Sequence, residues 1–232
     1  MKLIIAGATG FVGKEILRHA LRSPEFTSIV TLGRRAVDIE DQYAEKLTDL
    51  VLDDLNHYST SARAKLANAD ACIWTIAVAW TKSMSLPFDE VKKASLDYTI
   101  AGIRAISESN ATEKPLRFIY FSGALVDRDL TKVVTTRPEY AKLRGGVEVE
   151  LLEYATKNPA AVQVSCARPG YILGDRGPGS VTPNLPPEVP RVKLEECVAA
   201  VLKQSVDGIE QDPILNDDLV RIGQQALSRY IS

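Results

Sequence analysis

The chain lacks most of the features that announce a binding or membrane function. It has no run of lysine and arginine: 28 basic residues stand against 30 acidic ones, for a net charge of −2. The footprint of a polyanion-binding surface is therefore missing, and nucleic acid is not an expected partner. The first apolar stretch, Leu3 to Ala6, stops at Gly7. That is too short for a signal peptide or a membrane span. Cysteine is scarce: Cys72, Cys166 and Cys197 are widely separated and form no C-x-x-C pair. Cys72 and Cys166 sit inside apolar runs and read as buried, reduced core thiols. The two histidines, His19 and His57, have no companions at ligand spacing, so no metal site is expected. Repeats and low-complexity tracts are absent before residue 177. These absences describe an ordinary globular chain, expected in the cytoplasm.

What is present is an alternation of short apolar runs with longer segments of helical period, the pattern of βαβ units and a parallel sheet. Strands are expected at Leu3 to Ala6, Ser28 to Leu32, Lys46 to Leu52, Ala71 to Ala79, Leu116 to Phe121 and Ala161 to Ala167. Helices are expected at Phe11 to Leu21, Ser59 to Ala67, Asp89 to Ser109 and Pro138 to Lys157. Pro138 suits a first helical turn, where its missing N–H would have no partner anyway. Six strands with intervening helices make one doubly wound α/β Rossmann sheet, and 232 residues leave little over. The expected organisation is a single domain. Its nucleotide-binding core spans residues 1–174, and residues 175–232 form a loop and short helices over the substrate side. Gly177 to Pro190, with five prolines, is expected to be a surface loop. Leu194 to Leu202 and Leu219 to Tyr230 read as helices, with a short strand at Ile214 and Leu215.

Gly7-Ala8-Thr9-Gly10-Phe11-Val12-Gly13 follows the first strand and opens the first helix. That context turns a weak glycine pattern into a mechanism. Gly7 permits the tight turn, Gly10 lets a pyrophosphate approach the backbone, and Gly13 lets the helix pack on the sheet. The exposed amides and dipole of the helix N-terminus then receive the anion. NAD-binding forms usually place a carboxylate at the end of the second strand, for the ribose hydroxyls. Here the residues are Gly33-Arg34-Arg35. Two guanidiniums and no carboxylate favour the 2′-phosphate of NADP(H). Asp53 or Asp54, closing the third strand, is a candidate acceptor for the adenine amine.

Taken together, GATGFVG, the following GRR, Ser122-Gly123, Tyr140 four residues before Arg144, and Arg168-Pro169-Gly170 resemble an atypical short-chain dehydrogenase/reductase. The subgroup is similar to the Tat-interacting-protein-like proteins and their fungal relatives. The resemblance runs from Met1 to about Gly174. It implies an NADPH-dependent oxidoreductase acting on a small or medium carbonyl compound, as monomer or homodimer. Tyr140 would be the proton donor, Ser122 the group that orients the carbonyl, and Arg144 the partner of the phenol and of the nicotinamide ribose. Ala77, Val78, Pro169 and Gly170 would line the cofactor cleft, with Thr9, Phe11 and Val12 in the glycine turn. Trp80 and Tyr171 are candidate walls of the substrate pocket. The family places lysine where this chain has Arg144, and a guanidinium cannot relay protons as an ammonium can. That departure keeps two alternatives in view: a non-catalytic NADPH-binding regulator or scaffold, and a redox-neutral isomerase or cyclase.

Overall fold

The computed structural model describes residues 1–132, 137–177 and 188–228. The chain forms the doubly wound α/β Rossmann sheet expected from its sequence. The central strands are β1 (Lys2–Ala6), β2 (Ser28–Gly33), β3 (Leu47–Val51), β4 (Ala71–Trp74), β5 (Leu116–Phe121), β6 (Val162–Arg168) and a late strand (Ile214–Leu215). They lie in the order β3-β2-β1-β4-β5-β6 followed by the late strand, and every pairing is parallel. Such a sheet is covered on both faces, which is why its strands read as continuous apolar runs rather than as alternations.

The two faces have separate cores. Leu3, Ile5, Ile73, Ile119 and Phe121 point to one side, with Ile16, Leu17 and Ala20 of α1 (Phe11–Arg22). Ile4, Ala6, Cys72, Trp74, Phe118 and Tyr120 point to the other. There they meet α2 (Thr60–Leu66), the helical segment after β4, and α5 (Pro138–Lys157). Ser59 caps α2, its Oγ accepting the Ala62 amide at 3.1 Å. The three cysteines are buried and free, and burial pushes the Cys197 thiol up to about 12.

Three differences from the sequence expectation carry physical reasons. First, β4 ends at Trp74 rather than Ala79. Its neighbour β1 turns away at Gly7, and the Thr75 amide and hydroxyl both donate to the Ala6 carbonyl, at 2.9 and 2.8 Å. Past that point one side of the ladder is gone, and residues 75–79 become the rim of a cleft. Second, the helix expected from Asp89 to Ser109 comes in pieces. α3 (Phe88–Lys92) runs through a π-turn at Lys93–Asp97 into α4 (Tyr98–Ser107). The turn presents the Ser95 hydroxyl to the Val78 amide at 3.2 Å. Third, β7 (Tyr171–Leu173) and β8 (Arg191–Lys193) form a small parallel pair that the sequence reading missed. Three-residue strands are too short to show a period.

α6 (Leu194–Asp207) is longer than expected and lies in the core. Cys197, Val198, Ala200 and Val201 are fully enclosed beside Leu3, Ile5 and Ile16. The late strand, β9 (Ile214–Leu215), and α7 (Asn216–Ser228) follow, with Leu219 and Ile222 in the same core. These helices therefore cover a sheet face, where the sequence reading set them over the substrate side. Most of the loop expected over Gly177 to Pro190, and Tyr230 of the last helix, lie outside the described residues. Among the described residues, no helix is long and apolar enough to cross a membrane.

Candidate active site

The glycine turn sits at the carboxyl end of β1, in the centre of the sheet, where open α/β sheets bind their ligands. Gly7 has φ +88° and donates its amide to the Leu32 carbonyl at 2.9 Å, tying the turn to the end of β2. A side chain there would be strained. A Cβ at Gly13 would lie 2.2 Å from the Gly7 carbonyl oxygen, so only glycine lets α1 start this close to the turn. Gly10 is the N-cap of α1 with extended backbone. No side chain caps the helix, and no acid occupies its first turn. The first intrahelical bond runs from the Lys14 amide to the Gly10 carbonyl at 2.9 Å. The amides of Phe11, Val12 and Gly13 are the open donors ahead of it. This cradle, which a Cβ would fill, fits a dinucleotide pyrophosphate.

The groups flanking the cradle differ in how committed they are. Arg34 and Arg35 are exposed just past β2, and Arg35 reaches Thr9 Oγ1 at 3.4 Å. Asp54 is occupied: it accepts the Asn56 amide at 3.0 Å and pairs with Lys93 at 3.4 Å. Those donors hold its carboxyl below the usual range. Asp53 is exposed and has no hydrogen bond or ion pair among the described residues. Of the two candidates, Asp53 is the one without a partner among the described residues.

On the neighbouring strands, Ser122 directly follows β5, its amide donating to the Ala167 carbonyl at 2.8 Å. Its Oγ is buried beside the Glu148 carboxylate but completes no hydrogen bond of good geometry. Tyr140, in the first turn of α5, donates its hydroxyl to the Val78 carbonyl at 2.9 Å. Its ring stands edge-on to Trp80, centroids 5.3 Å apart. Arg144 is one turn further along α5, on the same face. It is 4% exposed; Nη2 donates to the Phe121 carbonyl at 2.7 Å, and the guanidinium lies 5.0 Å from the centre of the Tyr120 ring. Its Nη1 and the Tyr120 hydroxyl are buried without hydrogen-bond partners among the described residues. The structure thus joins Arg144 to β5 rather than to the Tyr140 hydroxyl.

Pro169 and Gly170 close the same edge. The Pro169 carbonyl accepts the Ala124 amide at 2.9 Å, and the Gly170 amide donates to Asn216 Oδ1 at 3.0 Å. Arg168, the first residue of that turn, is held by Glu148. Glu148 is fully enclosed, pairs with Arg168 at 2.6 Å and with Arg128 at 2.7 Å, and Arg128 reaches Asp212 at 2.8 Å. Burial works to raise the Glu148 pKa, but Arg168 and Arg128 beside it hold it below the ordinary value. The sequence reading missed this network, since its members lie up to 84 residues apart.

Two cavities open nearby. One of about 300 Å³ is bounded by Tyr140, Arg137, Ser83, Phe88 and Val91. A larger one, about 830 Å³, starts at Thr9, Gly10 and Phe11 and follows the outer face of α1 as far as Arg22. Only its mouth touches the cradle. The smaller cavity is the one beside Tyr140.

No family model matches the chain. It is similar to the Candida albicans protein named "Protein FMP52, mitochondrial", 25% identical over 176 residues that cover 76% of this chain and 69% of that one. The Eremothecium gossypii protein of the same name is 24% identical over 76% of this chain and 68% of its own. Both names place those proteins in mitochondria, and the expectation of a cytoplasmic protein is withdrawn on that finding. Among solved structures, vestitone reductase from alfalfa superposes with a TM-score of 0.66 at 19% identity, covering 92% of this chain and 76% of that one. MoeE5 in complex with UDP-glucuronic acid and NAD gives 0.68 at 15% identity, over 93% of this chain and 75% of that one. A UDP-glucose 4-epimerase from Thermotoga maritima gives 0.67 at 11% identity, over 97% and 82%. The fold that the resemblance implied is borne out: the chain has the fold of these reductase, epimerase and NAD-bound structures, while nothing in the comparisons singles out the Tat-interacting-protein-like subgroup.

Proposed function

We propose that the protein is an NADPH-dependent oxidoreductase that acts on a small or medium carbonyl compound, akin to the Tat-interacting-protein-like subgroup. One observation carries this reading: the Tyr140 hydroxyl ends on the Val78 carbonyl, on the same sheet edge as the glycine cradle and Ser122. The likeness to a plant reductase and to an NAD complex supports a nicotinamide dinucleotide; the choice of NADPH rests on Arg34 and Arg35. The cradle amides would hold the pyrophosphate, Arg34 and Arg35 the 2′-phosphate, and Asp53 the adenine amine. Ala77, Val78, Pro169 and Gly170 would line the nicotinamide end. When bound, the nicotinamide supplies the hydride.

The chain's own residues handle the oxygen. Tyr140 gives up its bond to the Val78 carbonyl and donates that proton to the substrate oxygen. Ser122 Oγ, with no committed partner, is free to donate to the same oxygen and fix its direction. Arg144 keeps a permanent charge behind β5, and because it never deprotonates, the proton that restores Tyr140 comes from solvent. A second reading is favoured by the commitment of Arg144 to Phe121: an NADPH-binding regulator without turnover.

The experiment that separates them is NADPH consumption against a broad carbonyl panel, for the native protein, Tyr140→Phe and Arg144→Lys. Native turnover that Tyr140→Phe abolishes supports the reductase. Binding without turnover in all three supports the regulator. Substrate conversion with no net loss of NADPH would replace both with redox-neutral chemistry.

A further inference from the structure

We propose that Arg176 is a ligand of the cofactor pyrophosphate, laid over the opening of α1 by the segment that leaves β7. The proposal rests on the reading of the glycine turn as a dinucleotide site and adds to it a cation from 163 residues further along the chain than Gly13.

A pyrophosphate bridge brings two negative charges to the cradle. The helix terminus answers with about half a positive charge. Arg34 and Arg35 stand at the adenosine end, past β2, and Arg35 is bonded to Thr9. The missing charge is at hand on the other flank. The Arg176 guanidinium carbon lies 4.0 Å from the centre of the Phe11 ring and 5.3 Å from that of Tyr171. Phe11 is the first residue of α1, so its ring and its open amide belong to the same turn. Arg176 spends one donor, Nη2, on the Ile172 carbonyl at 3.0 Å, and it forms no ion pair among the described residues. The rest of its fork remains for two phosphate oxygens.

The other charges around it are mostly settled. Glu15 is engaged by Arg18 and by His19. Asp175 turns Oδ1 to the Gly177 amide at 2.8 Å. Lys14 is exposed one turn into α1 at the mouth of the same cavity and adds to the positive side.

The backbone is built to deliver this side chain. Pairing of β7 with β8 anchors the segment, with the Tyr171 amide on the Pro190 carbonyl at 2.8 Å. Gly174 then passes so close that a Cβ there would meet Phe11 Cζ at 3.1 Å and Leu194 Cβ at 3.0 Å. A larger residue would lift the segment from the ring on which Arg176 rests.

The test is equilibrium binding of NADPH, NADH and adenosine 2′-monophosphate to the native protein, Arg176→Gln and Arg176→Lys. Arg176→Gln is expected to weaken NADPH and NADH alike by about tenfold, the scale of one charge-assisted hydrogen bond. Binding of adenosine 2′-monophosphate, which has no pyrophosphate, stays unchanged, and Arg176→Lys falls between. Gly174→Ala weakens both dinucleotides while keeping the charge. Unchanged dinucleotide binding in Arg176→Gln overturns the proposal. So does an equal loss for adenosine 2′-monophosphate, which would place Arg176 at the adenosine end. Native protein that binds neither dinucleotide overturns the cradle reading itself, a result distinct from failure at Arg176 alone.

Discussion

Glu148→Gln removes a charge that has no contact with solvent and leaves its shape almost unchanged. In the native chain the carboxylate faces Arg168 at 2.6 Å and Arg128 at 2.7 Å. Breaking a buried pair from one side costs about 3–5 kcal/mol, because the remaining charge stays buried and unpaired. The two arginines are not equally stranded. Arg128 keeps Asp212 at 2.8 Å and is 27% exposed, whereas Arg168 is 13% exposed and loses its carboxylate. The expected loss is therefore at the lower end, about 3 kcal/mol. For a chain of this length that lowers the melting temperature by roughly 6–12 °C. The pH dependence follows from the depressed folded pKa of Glu148. Its contribution is complete above the unfolded value, near 4.5, and is lost as pH falls through the lower folded value. Urea denaturation of both proteins from pH 7 downward should show a constant gap that closes only in acid below 4.5. A loss below about 1 kcal/mol at pH 7, the scale of a surface pair, would refute the reasoning. So would a gap indifferent to acid.

Gly13→Ala should abolish dinucleotide binding and destabilise the chain by about 1–3 kcal/mol, since its Cβ would sit 2.2 Å from the Gly7 oxygen. Calorimetry and a binding titration check both halves. Arg34→Ala with Arg35→Ala should weaken NADPH by roughly 10- to 100-fold and NADH far less; equal affinity of the native protein for the two cofactors would count against the assignment. Tyr140→Phe should lower carbonyl turnover by about 10²–10⁴ while leaving cofactor affinity intact. Its stability cost, from one lost bond to Val78, should be about 1 kcal/mol by thermal melting.

The order of elements was legible because the inner strands of the sheet are buried on both faces and the helices between them carry an apolar stripe. Pro138 and Lys157 mark the limits of α5 as its sequence does. Tyr140 and Ser122 could be read because a helix position and a strand end are local properties. What Arg144 does was not legible, since its partner Phe121 is 23 residues away across a helix–strand contact. The same holds for Arg168: in the sequence it belongs to a turn beside the cleft, and in space it belongs to Glu148. β4 was read too long because apolarity reports burial, and residues 75–79 sit on a partly covered rim without being strand. The aromatic seat of Arg176 on Phe11 left no trace in any local pattern.

The place of α6 has a consequence for how the protein is made. One face of the central strands, partly covered by α1, has its core completed only by residues 197–201. During synthesis Leu3, Ile5, Ile73 and Ile119 are finished long before Val198 and Val201 reach them. The glycine turn, encoded within the first thirteen residues, thus stands on a core that is complete only when the last fifth of the chain has docked. A fragment ending near residue 174 should present that face as a sticky surface and be held by chaperones rather than fold. The boundary that the motifs suggest is one of chemistry alone; the buried core runs from the first strand to the last helix.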